Sequence, residues 1–146
     1  MMKNEELIVS AITPKMIPLI WDNVSHMVQM AIDHSNGELD LSEIYERLVK
    51  KEMIMLTVSV GFKISAALTI EKRSFASGKN ILNVTTAGGS DLADWLDTVS
   101  PLIDQLAVEH GCSEIYIVGR AGWIKALKDS GYSKIHTVVS KKVGEI

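Results

Sequence analysis

The sequence has one cysteine, Cys112, so an internal disulfide and a cysteine metal cluster are both excluded. A reducing, cytosolic setting is the expectation for such a chain. It also lacks a surplus of basic charge: 15 Lys and Arg stand against 18 Asp and Glu, a net charge of −3. That balance gives the whole molecule no strong pull toward nucleic acid or anionic lipid. No run reaches 18 apolar residues, so no transmembrane helix is expected. Met1-Met2-Lys3-Asn4-Glu5-Glu6 leads into no long apolar stretch, so a signal peptide is not expected. His26, His34, His110 and His136 include no His-x-x-x-His pair, and no metal is expected. No Gly-x-Ser-x-Gly nucleophile motif occurs.

What is present is the profile of one folded domain spanning residues 1–146. Hydrophobic residues make up 47% and charged residues 23%, the balance of an ordinary globular chain. A chain of this length buries roughly 68–70% of its unfolded surface.

Glu6 to Ile12 is rich in Ile, Val and Leu and predicts a strand. Thr13-Pro14 then has the form of a helix start. Ile17, Ile20, Trp21, Val24, Met27, Val28, Ala31 and Ile32 recur at helical spacing, and Gly37 suits a left-handed cap. A second helix carries Leu41, Ile44, Tyr45, Leu48 and Val49, with Asp40 or Ser42 as its N-cap. Met53–Val60, Ile64–Glu71 and Ile81–Thr86 predict three strands joined by short turns, an antiparallel meander. Gly88-Gly89-Ser90-Asp91 follows. Next comes a long helix from Leu92 to His110, with Leu92, Trp95, Leu96, Val99, Leu102, Ile103, Leu106 and Ala107 on its apolar stripe and Pro101 inside it. Glu114–Val118 predicts a buried strand, Trp123–Ser130 a helix capped by Gly131, and Lys134–Val139 a last strand. The order β-α-α-β-β-β-α-β-α-β predicts an α/β (α+β) domain, a mixed, mostly antiparallel sheet flanked by helices.

Ala126-Leu127-Lys128-Asp129-Ser130-Gly131-Tyr132, preceded by the strand Glu114-Ile-Tyr-Ile-Val118, resembles a segment of the GNAT superfamily of acyl-CoA-dependent N-acetyltransferases. The element order resembles that family over nearly the whole chain. The fuller stretch Gly119-Arg120-Ala121-Gly122-Trp123 resembles GNAT-like proteins of tailed bacteriophages, which would place the chain in a bacterial host's cytoplasm. The resemblance implies a GNAT-like fold and acetyl-CoA or another acyl-CoA as donor. It implies an amine on a small molecule or protein as acceptor. The acyl carbonyl would meet backbone N–H groups near Val84 to Thr86. The pyrophosphate would meet Gly88, Gly89 and Ser90.

Two departures limit the resemblance. The family's pyrophosphate loop reads Q/R-x-x-G-x-G/A. Here Thr85 and Ser90 stand at its first and last positions, and only Gly88 matches. The family's tyrosine general acid falls on Leu127, which has no proton to give. A helix start can hold an anion, but Asp91 can equally cap the helix and repel a phosphate. Arg120, just past a strand's carboxyl end, can read phosphate or carboxylate; as a surface arginine it would do neither. Glu71, Glu38 and Asp40 are candidate bases by place alone. A second reading stays open: a catalytically silent structural or interaction protein, for example of a phage, that reuses the fold. The apolar surface of the first helix and the Met-rich first half leave room for an oligomer.

Overall fold

The computed structural model describes residues 6–35, 37–90, 92–118 and 127–144. It contains five strands, β1 (Leu7–Ile12), β2 (Ile54–Val60), β3 (Lys63–Ser74), β4 (Asn80–Gly89) and β5 (Glu114–Ile117), and three α-helices, α1 (Ile17–Asp33), α2 (Leu41–Val49) and α3 (Leu92–Glu109). The strands form one sheet in the order β1-β2-β3-β4-β5. The first three junctions are antiparallel and β4–β5 is parallel. A parallel pair cannot be closed by a tight turn, and α3 supplies the crossover. This is the mixed, mostly antiparallel sheet the sequence predicts.

The two faces of the sheet carry separate cores. Leu56, Val58, Leu68, Ile70, Leu82 and Val84 pack with Trp95, Val99, Ile103 and Ala107 of α3. On the other face Met55 and Ala67 pack with Val24, Met27 and Val28 of α1 and with Ile44 and Leu48 of α2. The strand alternation of side chains assigns residues to the two faces. A bulge interrupts it in β4: Val84 pairs with Ile70 and Thr86 with Thr69, so Thr85 is an extra residue. Leu82, Val84 and then Ala87 pack on the α3 side. The extra residue therefore shifts the phase and turns Thr86 and Gly88 toward α1.

The carboxyl-terminal part departs from the expected order. Half of the predicted helix Trp123–Ser130, residues 123–126, lies outside the described residues. The described half is Leu127 and a single 3₁₀ turn, Lys128–Ser130. Gly131 closes that turn with φ 90°, the left-handed cap expected of it. Lys134–Val139 does not form the predicted strand: it has no ladder partner among the described residues, and Ile135, Val138 and Val139 are exposed. β-branched composition suits a pleated surface, but a strand exists only where a neighbour accepts its hydrogen bonds. Among the described residues no helix is long and apolar enough to cross a membrane.

Candidate functional site

β4 and β5 run together for four rungs and then part. Their pairs are Ile81–Glu114, Leu82–Ile115, Asn83–Tyr116 and Val84–Ile117. β4 continues to Gly89 along β3, whereas β5 stops at Ile117. Beyond Val84 the outer edge of β4 therefore has no strand partner among the described residues. Backbone N–H and C=O groups on such an edge are unpaired and available to a ligand. The bulge at Thr85 lies where the two strands separate.

The predicted strand Ile81–Thr86 runs on through the stretch expected to link it to the helix, and is strand as far as Gly89. Both glycines are required by packing. A Cβ on Gly88 would lie 1.9 Å from the carbonyl oxygen of Met27 in α1. One on Gly89, whose φ is 138°, would lie 2.3 Å from the carbonyl oxygen of Ser65 in β3. Ser90 donates its backbone N–H to that Ser65 carbonyl at 3.0 Å. Main-chain direction alternates along a ladder. With Ser90 facing β3, the N–H groups of Gly88 and Thr86 face β3 as well, and those of Ala87 and Gly89 face the open edge. Sequence reasoning missed Ala87, because only the register against β3 identifies its direction. The Ser90 carbonyl is also engaged, accepting from Trp95 Nε1 at 2.9 Å. The side chain of Thr86 is buried and shares a 2.7 Å hydrogen bond with Thr69.

Arg120 and Trp123 lie outside the described residues, as does Asp91. Leu127, which the sequence resemblance aligns with the family's tyrosine, is 4% exposed and part of the apolar interior. Two of the three carboxylates named as bases, Glu71 and Asp40, are occupied. Glu71 Oε2 accepts from Arg47 Nη1 at 2.6 Å, and Oε1 lies 3.7 Å from Arg73 Nε. Asp40 caps α2 by accepting from the Glu43 N–H at 3.1 Å. The Ser42 hydroxyl first, and that N–H second, hold its carboxyl below the ordinary carboxylate range. Glu38 is exposed. An open depression lined by Ser42, Glu43, Glu46, Arg47, Lys50 and Glu52 includes no residue of β4 or β5. Its charges pair along the helix surface, as Lys50 does with Glu46.

Asn83 was not singled out in the sequence. It is 5% exposed, donates through Nδ2 to Thr85 Oγ1 at 3.1 Å, and has a buried Oδ1 with no partner among the described residues. An asparagine inside Ile-Leu-Asn-Val-Thr is the available signal, since a polar residue in an apolar strand needs a reason.

No protein-family model matches the chain, and no curated protein matches it. Solved structures do. Glucosamine-6-phosphate N-acetyltransferase from Arabidopsis thaliana superposes with a TM-score of 0.66 at 10% identity, over 95% of this chain and 99% of that one. A predicted acetyltransferase from Clostridium acetobutylicum, solved with acetyl-CoA, superposes at 0.64 and 14% identity, covering 94% and 97%. An aminoglycoside acetyltransferase from an uncultured soil metagenomic sample, in complex with sisomicin, superposes at 0.62 and 13% identity, covering 93% and 97%. The wedge between β4 and β5, the two-faced sheet and these superpositions agree: the chain has the GNAT fold.

Proposed function

We propose that the protein is an acyl-CoA-dependent N-acyltransferase that takes acetyl-CoA or another short acyl-CoA and a small-molecule amine. The observation that carries this reading is the parting of β4 from β5 after Val84 and Ile117. An extended pantetheine chain fits that edge as a strand would, taking hydrogen bonds from the outward N–H groups of Ala87 and Gly89. Val84, Thr86, Gly88 and Ser90 shape the wedge: Val84 ends the paired segment, and the others tie β4 to β3 and α1. The donor supplies the activated acyl group. The chain's residues hold it in place, exclude water through the two cores and present the bulge at Thr85 to the acyl end. Arg120 would serve the phosphates, as its place after β5 suggests.

An amine acceptor is supported by the soil aminoglycoside acetyltransferase among the similar structures. Leu127 offers no proton, so the departing thiol must take its proton from water or be protonated late. Turnover is therefore expected to be slow, with an ordinary affinity for the donor. Calorimetric titration with acetyl-CoA tests the reading directly. Binding in the micromolar range is expected, and no heat at about 1 mM ligand would overturn it.

One set of observations favours a catalytically silent interaction protein instead. Leu127, aligned with the family's acid by the sequence resemblance alone, is buried, and Leu19, Phe62, Val138 and Val139 are strongly exposed. A stable oligomer in solution with no affinity for acetyl-CoA would establish that second reading.

A further inference from the structure

Burial is lopsided across the rungs that join β4 to β5. Ile81, Leu82, Asn83 and Val84 of β4 are all buried, whereas Glu114 of β5 is exposed and Ile115, Tyr116 and Ile117 are only half-buried. A strand in a parallel pair is ordinarily covered along its whole length. β5 falls short because its outer edge has no strand beside it among the described residues. The α3-side core thins toward that edge. Leu106, Ile115 and Ile117 are partly buried there, and Leu102 and Val118 are exposed.

The carboxyl-terminal segment has the complementary deficit. Every residue from 133 to 144 is exposed, Val138 at 80% and Val139 at 87%. Lys134–Val139 has strand composition, and extension puts Ile135, Thr137 and Val139 on one face. Its start is fixed on its own copy. Gly131 caps the preceding turn, the Tyr132 N–H donates to the Leu127 carbonyl at 3.4 Å, and the Tyr132 phenol lies by Ser100 and Asp104 of α3. Held there, the segment pairs with no strand of its own sheet among the described residues.

We propose that the protein is a strand-exchanged dimer, in which residues 134–139 of each copy pair antiparallel with the outer edge of β5 in the other. Open edges are templates for such pairing. Charge sets the direction. Lys141 and Lys142 follow the segment, and the exposed Glu109 and Glu114 stand at the end where β5 begins. Antiparallel docking brings these opposite charges together, whereas parallel docking carries the two lysines past Val118. With Ile135, Thr137 and Val139 turned toward α3, the new strand extends the core beyond Ile115 and Ile117. Each copy gives one strand and takes one, so a two-fold pair closes. The added strand lies on the side of β5 away from β4. It leaves the wedge open, and the dimer does not depend on the acyltransferase reading.

The test is the solution mass of the full chain by light scattering at micromolar concentration, with amide hydrogen exchange over residues 135–139. Twice the chain mass and slow exchange are expected. Val138→Pro removes a ladder N–H and an apolar side chain, and should weaken the dimer at least about 100-fold. Val138 is exposed within its own copy, so the fold of each copy should survive, as circular dichroism checks. Val138→Lys, which keeps the N–H, should weaken the dimer at least about 10-fold. Leu19→Lys, on the exposed apolar face of α1, should leave it intact. A monomeric wild type overturns the proposal, and slow exchange in that monomer would place the segment on its own β5. A dimer that survives both changes at Val138, or that Leu19→Lys dissociates, also overturns it, because the interface then lies elsewhere.

Discussion

At Gly88 a single hydrogen atom separates β4 from the backbone of α1. A methyl group there would meet the Met27 carbonyl oxygen at 1.9 Å, and the obstacle is backbone rather than a flexible side-chain tip. Gly88→Ala must therefore push the helix away from the sheet and loosen the core of Val24, Met27 and Val28. The expected loss is about 3 kcal/mol, the upper end of overpacking costs, read by chemical denaturation. A loss below about 1 kcal/mol would show that α1 lies farther from β4 than described here. The sequence shows a glycine pair between a strand and a helix, and phosphate binding is a natural reading of it. Contact with Met27 is not legible, because it joins distant parts of the chain and no local pattern encodes it. The bulge at Thr85 is hidden for a related reason. A one-residue excess exists only relative to the register of β3, whereas Thr85 by itself is an ordinary strand residue.

Among the elements, α3 was the most legible and β5's surroundings the least. The spacing of Trp95, Leu96, Val99, Ile103 and Ala107 predicts one buried stripe, and all five are buried. Leu102, placed on the same stripe, is instead exposed. It follows Pro101 and falls on the helix's edge, where 3.6-residue periodicity tolerates either assignment. Trp95 anchors the helix twice, through its ring in the α3-side core and through its Nε1 bond to the Ser90 carbonyl. Trp95→Ala should cost about 3–5 kcal/mol, measured by urea unfolding. Trp95→Phe, which keeps much of the apolar surface but loses the hydrogen bond, should cost less. Equal losses in the two variants would mean that the bond to Ser90, rather than the ring's burial, carries the effect. Periodicity works for α3 because a helix states its buried face within its own sequence. Lys134–Val139 shows the converse. Its Ile and Val content suits a strand, yet pairing depends on a partner edge that the segment itself does not specify.

For the molecule as a whole, attachment of the carboxyl-terminal part to α3 makes stability depend on pH. Tyr132 follows the Gly131 cap, and its hydroxyl is buried. Burial pushes its phenol up to about 12, and the nearby Asp104 carboxylate adds to the rise. Ser100 pulls weakly the other way, without a hydrogen bond of ordinary geometry. A raised folded-state value means that the folded chain holds the phenolic proton more tightly than the unfolded chain, whose tyrosine titrates near pH 10. Below about pH 10 both states are protonated and the contribution is fully present. Between about pH 10 and 12 the unfolded state releases its proton first, so stability falls as pH rises. Lys50 and Lys79, raised by Glu46 and Glu114, also lose their favourable pairing in strong alkali, so the wild-type slope alone does not isolate the phenol. The difference between wild type and Tyr132→Phe does. Urea unfolding at several pH values from about 9 to 11.5 should give a steeper loss of stability in the wild type than in the variant, because phenylalanine has no proton to release. Parallel slopes would mean that the Tyr132 hydroxyl meets water in the folded protein, and that the segment after Gly131 does not pack its ring against Ser100 and Asp104.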